Sequence, residues 1–315
     1  MKIRSFHIKV FIGIAILFLL FYAVGISDIV NVLSSMRVAH LPLIMFIYIF
    51  SIFIASLNLQ YLLYQIKFRM NIWRFFKYFF MNTNIGWIMP GKIGTFALVF
   101  LLKKKGFGYG QGTAVLIIDK LVTLLVCSII GIVGVFVFFG GNYAMEFCLI
   151  IILGFLASFF FLIADTGRSV IKKYFLRKYA KIFTGFSKTN VSFLKKHKGV
   201  LLINTLITII KTFLGAFYAF LIFISLGVSV PVIVLWYIWG IEFIVSLIPI
   251  TLNGLGTRES VGLYLYSLVG VAPAVVLGRY VISLAIRYSL MIISFMLFDF
   301  KSFMEEVPDK ILQNR

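Results

Sequence analysis

The chain has 315 residues, is 62% hydrophobic, has a mean hydropathy of +1.08 and carries a net charge of +20. Soluble domains average closer to half apolar, and several apolar stretches here reach or approach the roughly 20 residues that cross a bilayer. This composition excludes an ordinary soluble domain and predicts an all-α polytopic membrane protein.

The elements follow from apolar runs bounded by charge. A first span is predicted over 10–27, behind a basic start. Basic start, apolar middle and Ala23-Val24-Gly25 also fit a signal peptide, but the run is long for a signal core and the topology needs it as a helix. A short link with Asp28 and Arg37 leads to a second span at 41–64. The basic cluster Lys67, Arg69, Arg74 and Lys77 follows. The next apolar stretch, 78–102, is interrupted by Asn82, Asn84, Gly86, Pro90, Gly91, Lys92 and Gly94, then closed by Lys103–Lys105. Basic residues on both sides place both ends in the cytoplasm, and each arm is too short to span. Pro and Gly permit the turn, so a re-entrant helical hairpin is predicted. A Pro-kinked ordinary span is the other reading.

A third span is predicted at 113–139 and a fourth at 145–164, joined by an uncharged link. The long polar stretch 165–198 holds ten basic residues. It reads as cytoplasmic and interfacial. A fifth span covers 199–226. The stretch 232–268 is broken between Pro249 and Gly256, which predicts a second hairpin, entered from the outside. The last span is 274–298, and a charged tail ends in the cytoplasm.

The charge count supports this topology. Of 30 Lys and Arg, Arg37 alone falls outside. Lys92, Lys120, Lys211, Arg258, Arg279 and Arg287 lie within membrane segments, and all the others are cytoplasmic. The positive charge therefore follows the loops of a multi-pass cell-membrane protein with both termini inside, and its pattern argues for anionic lipid as partner rather than nucleic acid. Cys127 and Cys148 lie in apolar segments, and His7, His40 and His197 are scattered. No disulfide framework, metal site or cofactor is expected.

The order reads span, span, hairpin, span, twice, with the second set upside down. One integral membrane domain, 1–315, would thus hold two inverted repeats, 1–141 and 142–300: about six full spans plus two hairpins. Paired broken helices at matching places in two halves point to a binding site in secondary transporters. Their breaks read "PGKIGT" (Pro90–Thr95) and "NGLGTRE" (Asn253–Glu259). A broken helix leaves free N–H groups and a positive dipole end, which attract an anion. Lys92 and Arg258 add full charge, which suits a phosphate.

Other intramembrane charges are candidates because such charges are costly and usually functional. Asp119 and Lys120 either line the cavity or snorkel to the surface. Arg279 holds the corresponding place in the second half and is a candidate partner for Glu259. Glu242 reads as a proton carrier or a partner for Lys211. Arg287 reads as structural, and Trp73, Trp87, Trp236 and Trp239 as interfacial anchors.

The segments "NIGWIMPGKIGTFALVFLLKKKG" with "AVLIIDKLVTLL", and "LIPITLNGLGTRESVGLYLYSLVGVAPAVVLGRYVI", resemble the membrane domain of the lysylphosphatidylglycerol synthases, a flippase-like family. The resemblance covers nearly the whole chain, and "NGLGTRE" is its most specific part. It implies translocation of a lipid such as aminoacylated phosphatidylglycerol, a glycolipid or a polyprenyl-linked lipid. It also implies site roles for Pro90, Gly91, Gly94, Asn253, Gly254, Gly256, Arg258 and Glu259, and for Asp119–Lys120 where the family usually has Glu-Arg. Thr95 stands where the family usually has an acid, and apolar Ala97, Leu98 and Val99 stand where an Arg is common. The stretch 165–198 is too short for an aminoacyl-transferase domain, so lysyl transfer is not implied.

The expected function is therefore a lipid flippase and not an enzyme. No Walker A loop suggests direct ATP use. A non-transporting membrane partner of a lipid- or glycan-modifying enzyme is the alternative. An intramembrane lipid-phosphate enzyme is a more distant one, because no His cluster, Cys-His pair or close carboxylate pair offers the chemistry.

Overall fold

The computed structural model describes residues 3–88, 97–104, 108–163, 193, 197–248, 250–251 and 254–297. The described residues contain helices and short connections, with no strand among them. In lipid every backbone polar group must be satisfied internally, and a helix does this within one segment.

The chain opens with α1 (Ile3–Val24) and α2 (Ile26–Ser34), then a 3-10 turn at Val38–His40 that leads into α3 (Leu41–Tyr64). Next come α4 (Ile72–Ile88), α5 (Ala97–Lys104), α6 (Tyr109–Phe139) and α7 (Gly141–Ile163). The chain continues with α8 (Lys198–Ser225), α9 (Val232–Val245), α10 (Thr257–Ser267) and α11 (Pro273–Leu297). Among the described residues, four helical stretches are long and apolar enough to cross a membrane: Val38–Tyr64, Tyr109–Phe139, Lys198–Ser225 and Pro273–Ser294. The bent pair α1–α2, taken as one span, adds a fifth. The protein is an all-helical, multi-pass membrane protein.

The sequence predicts an unbroken first span over 10–27 and a link after it. Instead α1 and α2 meet at an 80° bend. The hinge is Gly25, whose φ of 94° a side chain would resist. In the second broken stretch, α9 and α10 are separate helices packed against each other. At about 1.5 Å per residue, neither has the length of a bilayer core. The turn of the first broken stretch, 89–96, lies outside the described residues, as do 164–192 and 298–315.

Outward faces are apolar. Phe11, Phe18 and Tyr22 of α1, Leu149, Leu153 and Leu156 of α7, and Leu202, Leu206 and Ile210 of α8 are all exposed. Such continuous exposed apolar surface marks a lipid-facing wall. Among the described residues, the interior has two apolar clusters. The larger joins α3, α8, α9, α10 and α11 around Ile44, Ile222, Leu235, Ile238 and Val276. The smaller joins α3 to α6 around Leu59, Leu62, Phe75, Leu98 and Val115.

The helices approach through small residues, which is how membrane helices associate when lipid competes equally for apolar surface. On α9, a Cβ at Gly240 would lie 2.8 Å from the Gly131 nitrogen and from Ile130 Cγ2 of α6. The helix α3 packs along α8, α6 along α9, and α11 against both α2 and α4.

Candidate functional site

The "NGLGTRE" segment builds the start of α10. Its Asn253 lies outside the described residues, but the rest forms a tight cap. The Gly256 N–H donates to Glu259 Oε2 at 2.7 Å, which is the capping-box contact. Gly256 has φ 82°, and a Cβ there would meet the Gly13 carbonyl and Ile16 Cβ of α1 at 2.8 Å. Glycine is required twice over, by conformation and by the close approach of α1. The Thr257 hydroxyl donates to the Gly254 carbonyl, and Ser260 to that of Gly256.

Past the cap, Arg258 turns toward α9. Its Nε donates to Glu242 Oε2 at 2.8 Å. Glu242 is fully buried, and its other oxygen accepts the Tyr280 hydroxyl at 2.5 Å. Arg279 Nη1 lies 3.9 Å from that same oxygen, an ion pair but not a hydrogen bond. Arg279 is only 4% exposed. Its guanidinium stacks over the Tyr280 ring at 4.5 Å and near Tyr266 at 5.7 Å. Its Nε and Nη1 make no hydrogen bond. Two buried, unsatisfied donors on one cation are costly and ask for an acceptor.

Arg258, Arg279 and Tyr280 line a cavity of about 130 Å³ between α3, α8, α9, α10 and α11. Among the described residues, three arginines line it: Arg258, Arg279 and Arg287. Tyr48 and Ser51 contribute from α3, Tyr218 from α8, Trp239 from α9, and Glu259, Tyr280 and Ser283 complete the polar wall. A water needs only about 10–15 Å³ of such space, so the cavity holds several waters or one small anionic group. Guanidinium forks and hydroxyl donors together match the oxygens of a phosphate.

A second polar cluster lies between α3, α6 and α8. Asp119, 4% exposed, sits 3.7 Å from Lys211 Nζ and 3.3 Å from Lys120 Nζ. Asn58 and Asn204 reach the same carboxylate at 3.5 Å. Lys211 also donates to the Thr123 hydroxyl at 3.0 Å, and Asn58 to Thr208 at 3.1 Å. The two clusters are neighbours along α8, because Lys211 is one helical turn from the cavity-lining Gly215.

Of the residues singled out in the sequence, Arg258, Glu259 and Arg279 meet at the cavity, with Gly254 and Gly256 shaping the turn before it. Asp119 and Lys120 belong to the second cluster and are not on the cavity wall. Pro90, Gly91, Lys92 and Gly94 lie outside the described residues. The pairings differ from those expected. Glu259 caps its own helix instead of pairing with Arg279, because its position three residues into α10 brings the carboxylate back to the Gly256 N–H. Glu242 faces Arg258 and Arg279, while Lys211 faces Asp119. Trp236 donates to the Thr212 hydroxyl inside the bundle, and Trp239 covers Gly215 at the cavity. Tyr48, Tyr218, Tyr280 and Arg287 complete the site. Aromatic residues are so common in this chain that composition alone does not mark them. Among the described residues, no three His, Cys, Asp or Glu side chains gather as a metal site would need.

No curated protein and no solved structure matches the chain. A family described as the lysylphosphatidylglycerol synthase TM region matches residues 6–294, nearly its whole length. The match spans both broken helix pairs and every helix that walls the cavity. The chain therefore belongs to the lysylphosphatidylglycerol synthase TM region family.

Proposed function

We propose that this membrane protein is a lipid flippase that moves an anionic or phosphate-linked lipid between leaflets, its headgroup passing through the arginine-lined cavity. The observation that carries this reading is Arg279. It is a buried cation with two unsatisfied donors, set beside Arg258 and Arg287 around space the size of a headgroup phosphate. Intramembrane charge is expensive and is retained where a substrate passes. Aminoacyl-phosphatidylglycerol, a glycolipid phosphate and a polyprenyl phosphate all offer the required oxygens.

The halves 1–141 and 142–300 act in this proposal as inverted repeats in the cell membrane, with both termini cytoplasmic. Helix packing supports it. The last long helix of each half lies against the first short arm of the other: α6 on α9, and α11 on α4. The second long helices, α3 and α8, lie against one another. Rocking of such halves around a central site is a common transport scheme.

The test is a leaflet-accessibility assay in proteoliposomes with fluorescent phosphatidylglycerol, its lysyl form and a polyprenyl phosphate. One of these lipids should cross faster than in protein-free vesicles. Arg258→Ala, checked for folding by gel filtration, should slow it at least tenfold. Well-folded protein that moves none of the three, with or without a proton gradient, would refute the proposal. The protein would then be better described as a membrane partner of a lipid- or glycan-modifying enzyme.

A further inference from the structure

Glu242 has no evident reason to be where it is if the cavity serves only to attract an anion. It is fully buried and takes up charge that a headgroup would use: the Nε of Arg258 at 2.8 Å and the field of Arg279 at 3.9 Å. The protein even keeps room for it. A Cβ at Gly262 would collide with the Tyr280 hydroxyl and come within 2.7 Å of Glu242 Oε1. The carboxylate therefore occupies, from within, the partners that an incoming phosphate needs.

Among the described residues, the titratable and charged groups around Glu242 come from two helices: Arg258 and Tyr266 of α10, and Arg279 and Tyr280 of α11. From α6, which packs along α9, Gly131 and Gly134 approach Gly240 and Ile241. From α8, Tyr218 lines the adjoining cavity. The two arginines are thus its compensating cations. A phosphate binds guanidinium forks bidentately and competes well with a single carboxylate contact. Once the phosphate takes the donors of both arginines, Glu242 loses its Arg258 hydrogen bond and lies beside a second buried anion. The two cations match the two anions in number, but a carboxylate stripped of its cationic donor and repelled by the phosphate is more costly there than a neutral carboxyl group, so the group takes up a proton instead.

We propose that Glu242 is a built-in competitor for the headgroup: the anion displaces it from Arg258 and Arg279, and Glu242 takes up one proton in exchange. The proposal rests on the reading of the cavity as an anion site. The balance is simple. One anion and one proton enter together, no covalent bond to the substrate changes, and both leave together when the carboxylate re-pairs with the arginines. In the empty site Glu242 offsets one of the two cationic charges, and in the loaded site the phosphate does so in its place. The Tyr280 hydroxyl can stay on Glu242 throughout, because a neutral carboxyl group still accepts a hydrogen bond. Anion binding is then linked to protons and draws on a proton gradient.

The experiment uses the full chain in nanodiscs of neutral lipid, with dioctanoyl phosphatidylglycerol and dimethyl phosphate as probes. Both are phosphodiesters that hold one negative charge from pH 5 to 8, so any linked proton belongs to the protein. Calorimetry in buffers of different ionisation enthalpy counts the protons. Wild type should take up about one proton per anion, and affinity should rise about tenfold per unit fall in pH over the linked range. Glu242→Gln should bind with no proton uptake and little pH dependence, at least as tightly as wild type at the acid end. Binding by wild type without proton uptake overturns the proposal, as does loss of binding in a folded Glu242→Gln protein. If that variant does not fold, the wild-type proton count alone decides. Absence of binding at any pH is a different failure: it removes the anion site itself, and this proposal with it. Dimethyl phosphate separates the headgroup from the tails, since its binding shows that the phosphodiester alone drives the exchange.

Discussion

Asp119 and Lys211 form a pair whose two halves should be unequally expendable. At 3.7 Å, and with an effective dielectric of 20, their attraction is about 4.5 kcal/mol before desolvation is subtracted. Removing Asp119 as Asp119→Asn leaves Lys211 with the Thr123 hydroxyl and neutral amides. Its side chain is 14% exposed, so the ammonium is nearly stranded, and such a loss costs about 3–5 kcal/mol. Removing Lys211 as Lys211→Met is gentler, because Asp119 keeps Lys120, Asn58 and Asn204. Lys120 is 57% exposed on its side chain, so solvent screens it and it compensates only in part. Lys211→Met should therefore cost roughly half as much, about 2 kcal/mol. The double variant should be more stable than Asp119→Asn alone, because no buried charge is left unpaired. Unfolding in mixed sodium dodecyl sulfate micelles, followed by tryptophan fluorescence, measures all four proteins in one cycle. The reasoning fails if Lys211→Met is as damaging as Asp119→Asn. It also fails if the two effects add to within about 0.5 kcal/mol, the mark of sites that do not interact.

Three further outcomes test other parts of the structure. Gly240→Ala pushes a methyl group against the backbone of α6, where it would meet Gly131 at 2.8 Å, and should cost about 1–3 kcal/mol. Gly131→Ala, whose Cβ would have its nearest neighbour at 3.4 Å, should cost less in the same micelle titration. At the α10 cap, Glu259→Gln keeps an acceptor for the Gly256 N–H and should be nearly neutral in thermal unfolding, while Glu259→Ala should lose about 0.5–2 kcal/mol. At the cavity, Arg279→Lys keeps the charge but loses the planar stack on Tyr280 and the fork. It should lower lipid movement in proteoliposomes at least tenfold, and wild-type rates in that variant would show that charge alone suffices.

The sequence by itself determined the class, the long helices and the break between α9 and α10, but not the bend at Gly25. Hydropathy is a local property: the predicted spans 41–64, 113–139, 199–226 and 274–298 match α3, α6, α8 and α11 to within a few residues. The "NGLGTRE" turn was legible because Gly254 and Gly256 both need positive φ, and glycine announces that need. Tertiary structure alone decided which charges meet. Arg258 and Glu242 are sixteen residues apart, and Lys211 and Thr123 eighty-eight; such pairs depend on how neighbouring helices are rotated and shifted against each other. A one-residue change in that register turns a side chain by about 100°, so a charge read on one helix does not reveal its partner on the next. The same reason hid Tyr48, Tyr218, Trp239 and Arg287. Trp239 reads as an anchor and Arg287 as structural along its own helix, the two tyrosines carry no mark in the sequence, and all four become part of a site only where α3, α8, α9 and α11 close around the same space.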